Sequence, residues 1–209
     1  MTQVSFQDVS ISLSGIYDGR STAGRMYGSG RKAVILSNMN TNDQNEWEPL
    51  IVPSAHKDYF ILTYNYINSH TDQSGVLADV LSFVKQAGAD IIILMGASRG
   101  GVTSMQIAAK PDLYQGLAGV AAISAPVDHK GELFFSRDDL ARIKIPKLLI
   151  NTEHDECAAG TRRMFELVTA PKTMIFYDGA EHGTEIFATK KETLVADLVN
   201  FADRVSICD

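Results

Sequence analysis

The stretch IIILMGASRGGVTSMQIAAK, residues 91–110, runs from branched aliphatics into a serine among glycines and then into residues with helical spacing. A continuous apolar run bounded by turn residues is the pattern of a strand buried on both faces. The residues after it, closed by Pro111, have the pattern of a helix. Between the two stands Gly96-Ala97-Ser98-Arg99-Gly100, with Gly101 behind. A sharp strand-to-helix turn brings the two elements so close that side chains there collide, which is why glycine is needed on either side of the serine. Such a turn exposes the Ser98 hydroxyl, with the positive end of a helix behind it. Serine alone is a poor nucleophile. It needs a neutral imidazole to take its proton and a carboxylate to orient that imidazole.

The alternation continues on both sides. Short apolar runs at 32–38, 59–66, 90–96, 117–124, 146–151 and 172–179 predict buried parallel strands. Helical spacing at 75–88, 101–111, 157–171 and 190–205 predicts the helices between them. Gly88 and Pro111 punctuate two of these helices where the apolar period ends. The first 30 residues alternate around Gly15, Gly19, Gly28 and Gly30, as opening strands joined by turns do. The expected architecture is one domain over 1–209, a three-layer α/β/α sandwich with a mainly parallel sheet and a minimal cap. APVDHKGELFFSRDDLARIKIP, residues 125–146, is the least regular and most charged part. It reads either as a small lid or as a surface connection with one short helix.

Composition narrows the partners. A 209-residue chain with 45% hydrophobic and 21% charged residues supports a sizeable core. Its formal charge of −6 provides no basic field for nucleic acid or an anionic membrane. No run approaches the roughly 18 apolar residues of a membrane span, and MTQVSFQDVSISLSG lacks a basic start followed by an apolar core. The expectation is a cytoplasmic chain. Cys157 and Cys208 stand far apart without C-x-x-C spacing, so reduced thiols are expected rather than a disulfide framework or a zinc knuckle. Residues 153–156, EHDE, gather metal-ligand types, but four consecutive residues cannot all face one ion and no complementary His/Cys set is evident in the sequence. No metal or cofactor is therefore expected.

Five histidines are available: His56, His70, His129, His154 and His182. Only His182 lies between the last predicted strand and the last predicted helix, in DGAEHGTEIF. A carboxylate is sought at the end of the preceding strand, KLLIN, where TEHDE offers Glu153, Asp155 and Glu156. Asp155 is favoured, because it stands far enough beyond the strand for the chain to turn over the sheet edge. Its short side chain also fixes an imidazole with less rotamer freedom than a glutamate's. Cys157 follows the acid loop rather than a strand-to-helix turn, which disfavours it as a nucleophile.

With GASRG, NTEHDE and GAEHG in this order, the chain resembles the α/β-hydrolases over nearly its whole length. The resemblance is nearest to compact esterase, thioesterase and dienelactone-hydrolase-like members. It implies Ser98 as nucleophile, Asp155 as orienting acid and His182 as general base. It also implies an oxyanion hole from the backbone N–H of Arg99 and of a residue after AVILSN, Met39. The chain departs from the pattern at Ser37-Asn38, where many relatives carry His-Gly, and the amides of Asn38 or Asn40 are alternative donors. Trp47 reads either as a wall of the acyl pocket or as core. The activity implied is cleavage of a small or medium carboxylic ester or thioester, a small-molecule acyl substrate, through an acyl-enzyme. The alternative is a noncatalytic binding or scaffold protein that keeps the turn for packing.

Overall fold

Ile91–Ala97, the strand that leads into Ser98, lies in the middle of an eight-stranded sheet. The computed structural model describes residues 4–55, 59–67, 73–112 and 114–206; His56, His70 and Cys208 lie outside the described residues. In chain order the strands are β1 (Gln7–Ser12), β2 (Ser21–Tyr27), β3 (Lys32–Ser37), β4 (Phe60–Tyr64), β5 (Ile91–Ala97), β6 (Leu117–Ile123), β7 (Asp128–His129), β8 (Glu132–Leu133), β9 (Lys147–Thr152) and β10 (Lys172–Tyr177). The main sheet has the order β1-β2-β4-β3-β5-β6-β9-β10, and β7 pairs with β8 in a separate hairpin. From β4 to β10 every pairing is parallel; β2 joins β4, and β1 joins β2, antiparallel.

The helices are α1 (Glu48–Ala55), α2 (Ser74–Gln86), α3 (Arg99–Ala108), α4 (Arg137–Arg142), α5 (Ala158–Leu167) and α6 (Ile186–Val205). Along β5 the side chains alternate between two cores. Ile92 and Leu94 pack with Val76, Leu77 and Val80 of α2 and Met105 of α3. Ile93 and Met95 pack with Leu50 of α1 and Leu194, Leu198 and Phe201 of α6. Both faces of β5 are therefore covered, which is why the run is apolar without alternation. The result is a three-layer α/β/α sandwich with a mainly parallel sheet.

The predicted strands and helices form within a few residues of their expected bounds. α1 escaped the periodicity because EPLIVPSA carries two prolines. α6 begins ahead of the predicted position and bends at Lys190, whose φ of −128° and ψ of 31° leave the helical region. Residues 125–146 hold the β7–β8 hairpin and one short helix, α4. Ser136 caps α4 reciprocally with Asp139, and Phe135, Leu140 and Ile143 tie the segment to the core. Trp47 is core: it is 0% exposed and meets the Phe187 ring edge-on at 6.3 Å.

The glycines of the turn are required by proximity. A Cβ on Gly96 would overlap the Gly100 carbonyl, and one on Gly100 would overlap the Ser37 carbonyl at the end of β3. A Cβ on Gly101 would lie 2.8 Å from the Ala125 Cβ, beyond the end of β6. None of the three adopts a positive φ, so space and not backbone freedom excludes a side chain. Gly100→Ala is accordingly expected to destabilise the fold by roughly 1–3 kcal/mol or more, read as a lowered midpoint of urea unfolding. An unchanged midpoint would show that β3 and α3 separate at little cost.

Candidate active site

The structure places Ser98 between β5 and α3 with φ 52° and ψ −115°, a combination that a non-glycine residue rarely adopts. Two bonds hold it there. Its N–H donates to the Ile123 carbonyl of β6 at 2.7 Å, and its carbonyl accepts the Val102 N–H at 3.0 Å, opening α3. Arg99 is the first residue of α3. The turn thus presents the hydroxyl at the positive end of the helix dipole.

Of the three carboxylates weighed from the sequence, Asp155 alone meets His182 among the described residues. Both of its oxygens lie 3.0 Å from His182 Nδ1. It is 6% exposed, and its Oδ1 also accepts the Cys157 N–H at 2.9 Å. Glu153 pairs with Arg162 instead, while Glu156 faces His129 at 4.0 Å and Lys130 at 3.9 Å. Burial works to raise the Asp155 pKa, but the bonds from His182 and the Cys157 N–H outweigh it and leave it below the usual carboxylate value. His182 moves the other way. Its bond to Asp155 raises its pKa above the ordinary 6.5 against the opposing effect of burial. Ser98, Arg99, Met39 and His182 all line one cavity of about 740 Å³.

The hydroxyl of Ser124, at the end of β6, was not singled out by sequence reasoning. It donates to Asn151 Oδ1 of β9 at 2.8 Å and accepts the Gly183 N–H, next to His182, at 2.9 Å. Ser124 has a φ of 50°, a second non-glycine residue held in the left-handed region. Asn151 is in turn fixed by Thr161, to whose hydroxyl its amide donates at 2.9 Å. One serine hydroxyl therefore couples the histidine loop to the strand that leads to the acid. No periodicity or motif marks it.

The loop after β3 differs from expectation. The Met39 N–H donates to Glu46 Oε1 at 2.6 Å, while Glu46 Oε2 accepts the Thr41 hydroxyl at 2.7 Å. The loop folds back on itself, so a carboxylate caps the donor that the resemblance assigned to the oxyanion. Burial raises the Glu46 pKa despite these two bonds. Asn38 is fully buried and turns its amide to the Tyr64 carbonyl at 2.8 Å, which leaves it no part in the cavity. Asn40 lines the cavity, and its Oδ1 accepts from Arg99 Nη1 at 3.2 Å. Cys157 is buried in the cavity wall, and burial with its acidic neighbours Asp155 and Glu156 pushes its thiol up to about 12. A thiol so perturbed is a weak nucleophile at neutral pH.

No protein-family model matches the sequence, and no curated protein does. Solved structures match along almost the full chain. The esterase domain of a Rhodothermus marinus protein superposes with a TM-score of 0.78 at 16% identity, covering 96% of this chain and 98% of that one. An enol-lactonase from Burkholderia xenovorans gives 0.72 at 15% identity, covering 93% and 100%. The thioesterase domain from the curacin biosynthetic pathway gives 0.72 at 11% identity, covering 94% and 99%. The chain has the α/β-hydrolase fold. No helix among the described residues is long and apolar enough to cross a membrane.

Ser124→Ala removes the acceptor of the Gly183 N–H and the donor to Asn151. It is expected to cost about 1–3 kcal/mol in urea unfolding, as a buried polar group left unpaired does. Hydrogen exchange at the Gly183 amide should accelerate beyond the global change. Exchange at Gly183 that follows only the global loss would show that Ser124 does not hold the histidine loop.

Proposed function

We propose that the chain is a serine hydrolase that cleaves a small or medium carboxylic ester or thioester, with Ser98 as nucleophile, His182 as general base and Asp155 as the acid that orients it. One observation carries this reading: His182 Nδ1 lies against both oxygens of a buried Asp155, on the wall of the cavity that Ser98 enters from a strained turn. With Nδ1 committed to Asp155, Nε2 is the nitrogen that takes the Ser98 proton as Oγ attacks the substrate carbonyl. The Arg99 N–H and the positive end of α3 stabilise the oxyanion. Collapse of the tetrahedral intermediate expels the alcohol or thiol, which receives the proton from His182. Water activated by the same imidazole then releases the acid and restores Ser98. A cavity of about 740 Å³ walled by a short hairpin suits small and medium acyl groups better than long chains.

A second reading, a binding protein that keeps the turn for packing, is favoured by the Glu46 cap on the Met39 N–H. Within the hydrolase reading the same cap makes Met39 a second oxyanion donor only when the carboxylate yields. Glu46→Ala then raises kcat, because the donor is no longer contested; an unchanged kcat assigns the second donor to the side-chain amide of Asn40 instead.

A panel of p-nitrophenyl esters and acyl-thioesters separates the two readings. Turnover of at least one substrate that falls on the order of 10⁶-fold in Ser98→Ala supports the hydrolase. Asp155→Asn is expected to lower kcat roughly 10⁴-fold, because the amide stabilises the wrong imidazole tautomer. Turnover of no member by wild-type protein supports the binding protein.

The pH dependence follows from the two shifts. The base is protonated below its raised pKa, so kcat/KM rises with pH through a midpoint above 6.5, and Asp155→Asn returns that midpoint towards 6.5. Stability has the opposite sense. The His182 contribution is complete below 6.5 and lost as pH rises through the raised pKa. The Asp155 contribution is present above 3.8 and lost as pH falls through the lowered one. The pair stabilises most between these ordinary values, at a pH below the rise in activity. A wild-type midpoint at or below 6.5 would contradict the role given to Asp155.

A further inference from the structure

We propose that Cys157, His129 and Glu156 form a binding site for a thiophilic divalent cation of the zinc class, set in the wall of the same cavity. Sequence spacing conceals the site, because its parts come from two loops. His129 belongs to β7, in the hairpin that follows β6, while Glu156 and Cys157 end the loop after β9. Folding brings the hairpin over that loop. Cys157 Sγ lies 3.8 Å from His129 Nδ1, and one ligand atom each from Cys157, His129 and Glu156 lie within 4.8 Å of one another.

Zinc-to-ligand bonds of about 2.0–2.3 Å in a tetrahedron place ligand atoms somewhat closer together than this. The exposed Glu156 side chain can supply the contraction by rotation. Thiolate, imidazole and carboxylate suit zinc-class ions over magnesium or calcium, which prefer oxygen ligands. All three residues line the cavity that Ser98 and His182 also line. On binding, the thiol gives its proton to the buffer and the thiolate becomes the ligand. A cationic group already occupies the edge of the cluster: the Lys130 ammonium lies 3.9 Å from Glu156 Oε2 and would be displaced.

A competing set, Asp155, Cys157 and His182, also brings one ligand atom from each within 4.8 Å of the others. An ion there must break both contacts between His182 and Asp155 and disturb the bond from the Cys157 N–H to Asp155. Among the described residues the His129 set has only the exposed lysine to displace, and the ion is placed there. The assignment does not depend on hydrolase activity.

The test is a cobalt(II) titration of the full chain in metal-free buffer, followed by the near-ultraviolet thiolate-to-cobalt charge-transfer band and by displacement with zinc. One equivalent is expected to saturate the band. His129→Gln should weaken binding by roughly tenfold or more and Cys157→Ser should abolish the band. Lys130→Gln should tighten binding, and His182→Gln should leave it unchanged, with circular dichroism confirming the fold of each variant. Absence of the band in wild-type protein overturns the site. A band retained in His129→Gln and lost in His182→Gln transfers the ion to the competing set and overturns the assignment.

Discussion

The close approach of α3 to β3 and β5 is the constraint on which the site depends. Gly96, Gly100 and Gly101 let helix and sheet meet where a Cβ would overlap a carbonyl or the Ala125 side chain. That approach, with the bond from the Ser98 N–H to β6, holds Ser98 in a conformation it would not choose. The conformation is sustained by the surrounding packing: β5 is buried on both faces and pairs in parallel with β3 and β6. A looser centre of the sheet would let the turn relax, and the hydroxyl would lose its aim.

The second half of the site is built from loops and needs a different kind of support. Asp155 and His182 come from the ends of β9 and the segment after β10, neighbouring parallel strands in register from Lys147 and Lys172 onward. Register alone does not fix an imidazole. The hydroxyl of Ser124 does part of this, bonding to β9 through Asn151 and to the histidine loop through Gly183. The bond between His182 and Asp155 then raises the pKa of one partner and lowers that of the other, as an ion pair with shared hydrogen bonds must.

Much of this was legible in the sequence because periodicity reports burial. The apolar run of β5, the glycines around Ser98 and the late position of His182 each carry a local reason that the fold bears out. The bend of one short loop decides which of Glu153, Asp155 and Glu156 faces inward, and no pattern encodes that bend. α1 was hidden by its two prolines. The Glu46 cap on the Met39 N–H, the reach of Ser124 to Gly183 and the meeting of His129 with Cys157 were not legible. Each is a contact between side chains or loops whose distance is set by the turns between them.

Covalent labelling tests the central claim most directly, because it requires the strained turn, the imidazole and the carboxylate to act together on one oxygen. Wild-type protein treated with a fluorophosphonate and analysed by peptide mass spectrometry is expected to carry one adduct, on Ser98, and none in His182→Ala over the same time. An adduct on Cys157, or an unlabelled and correctly folded wild-type protein, would contradict the account.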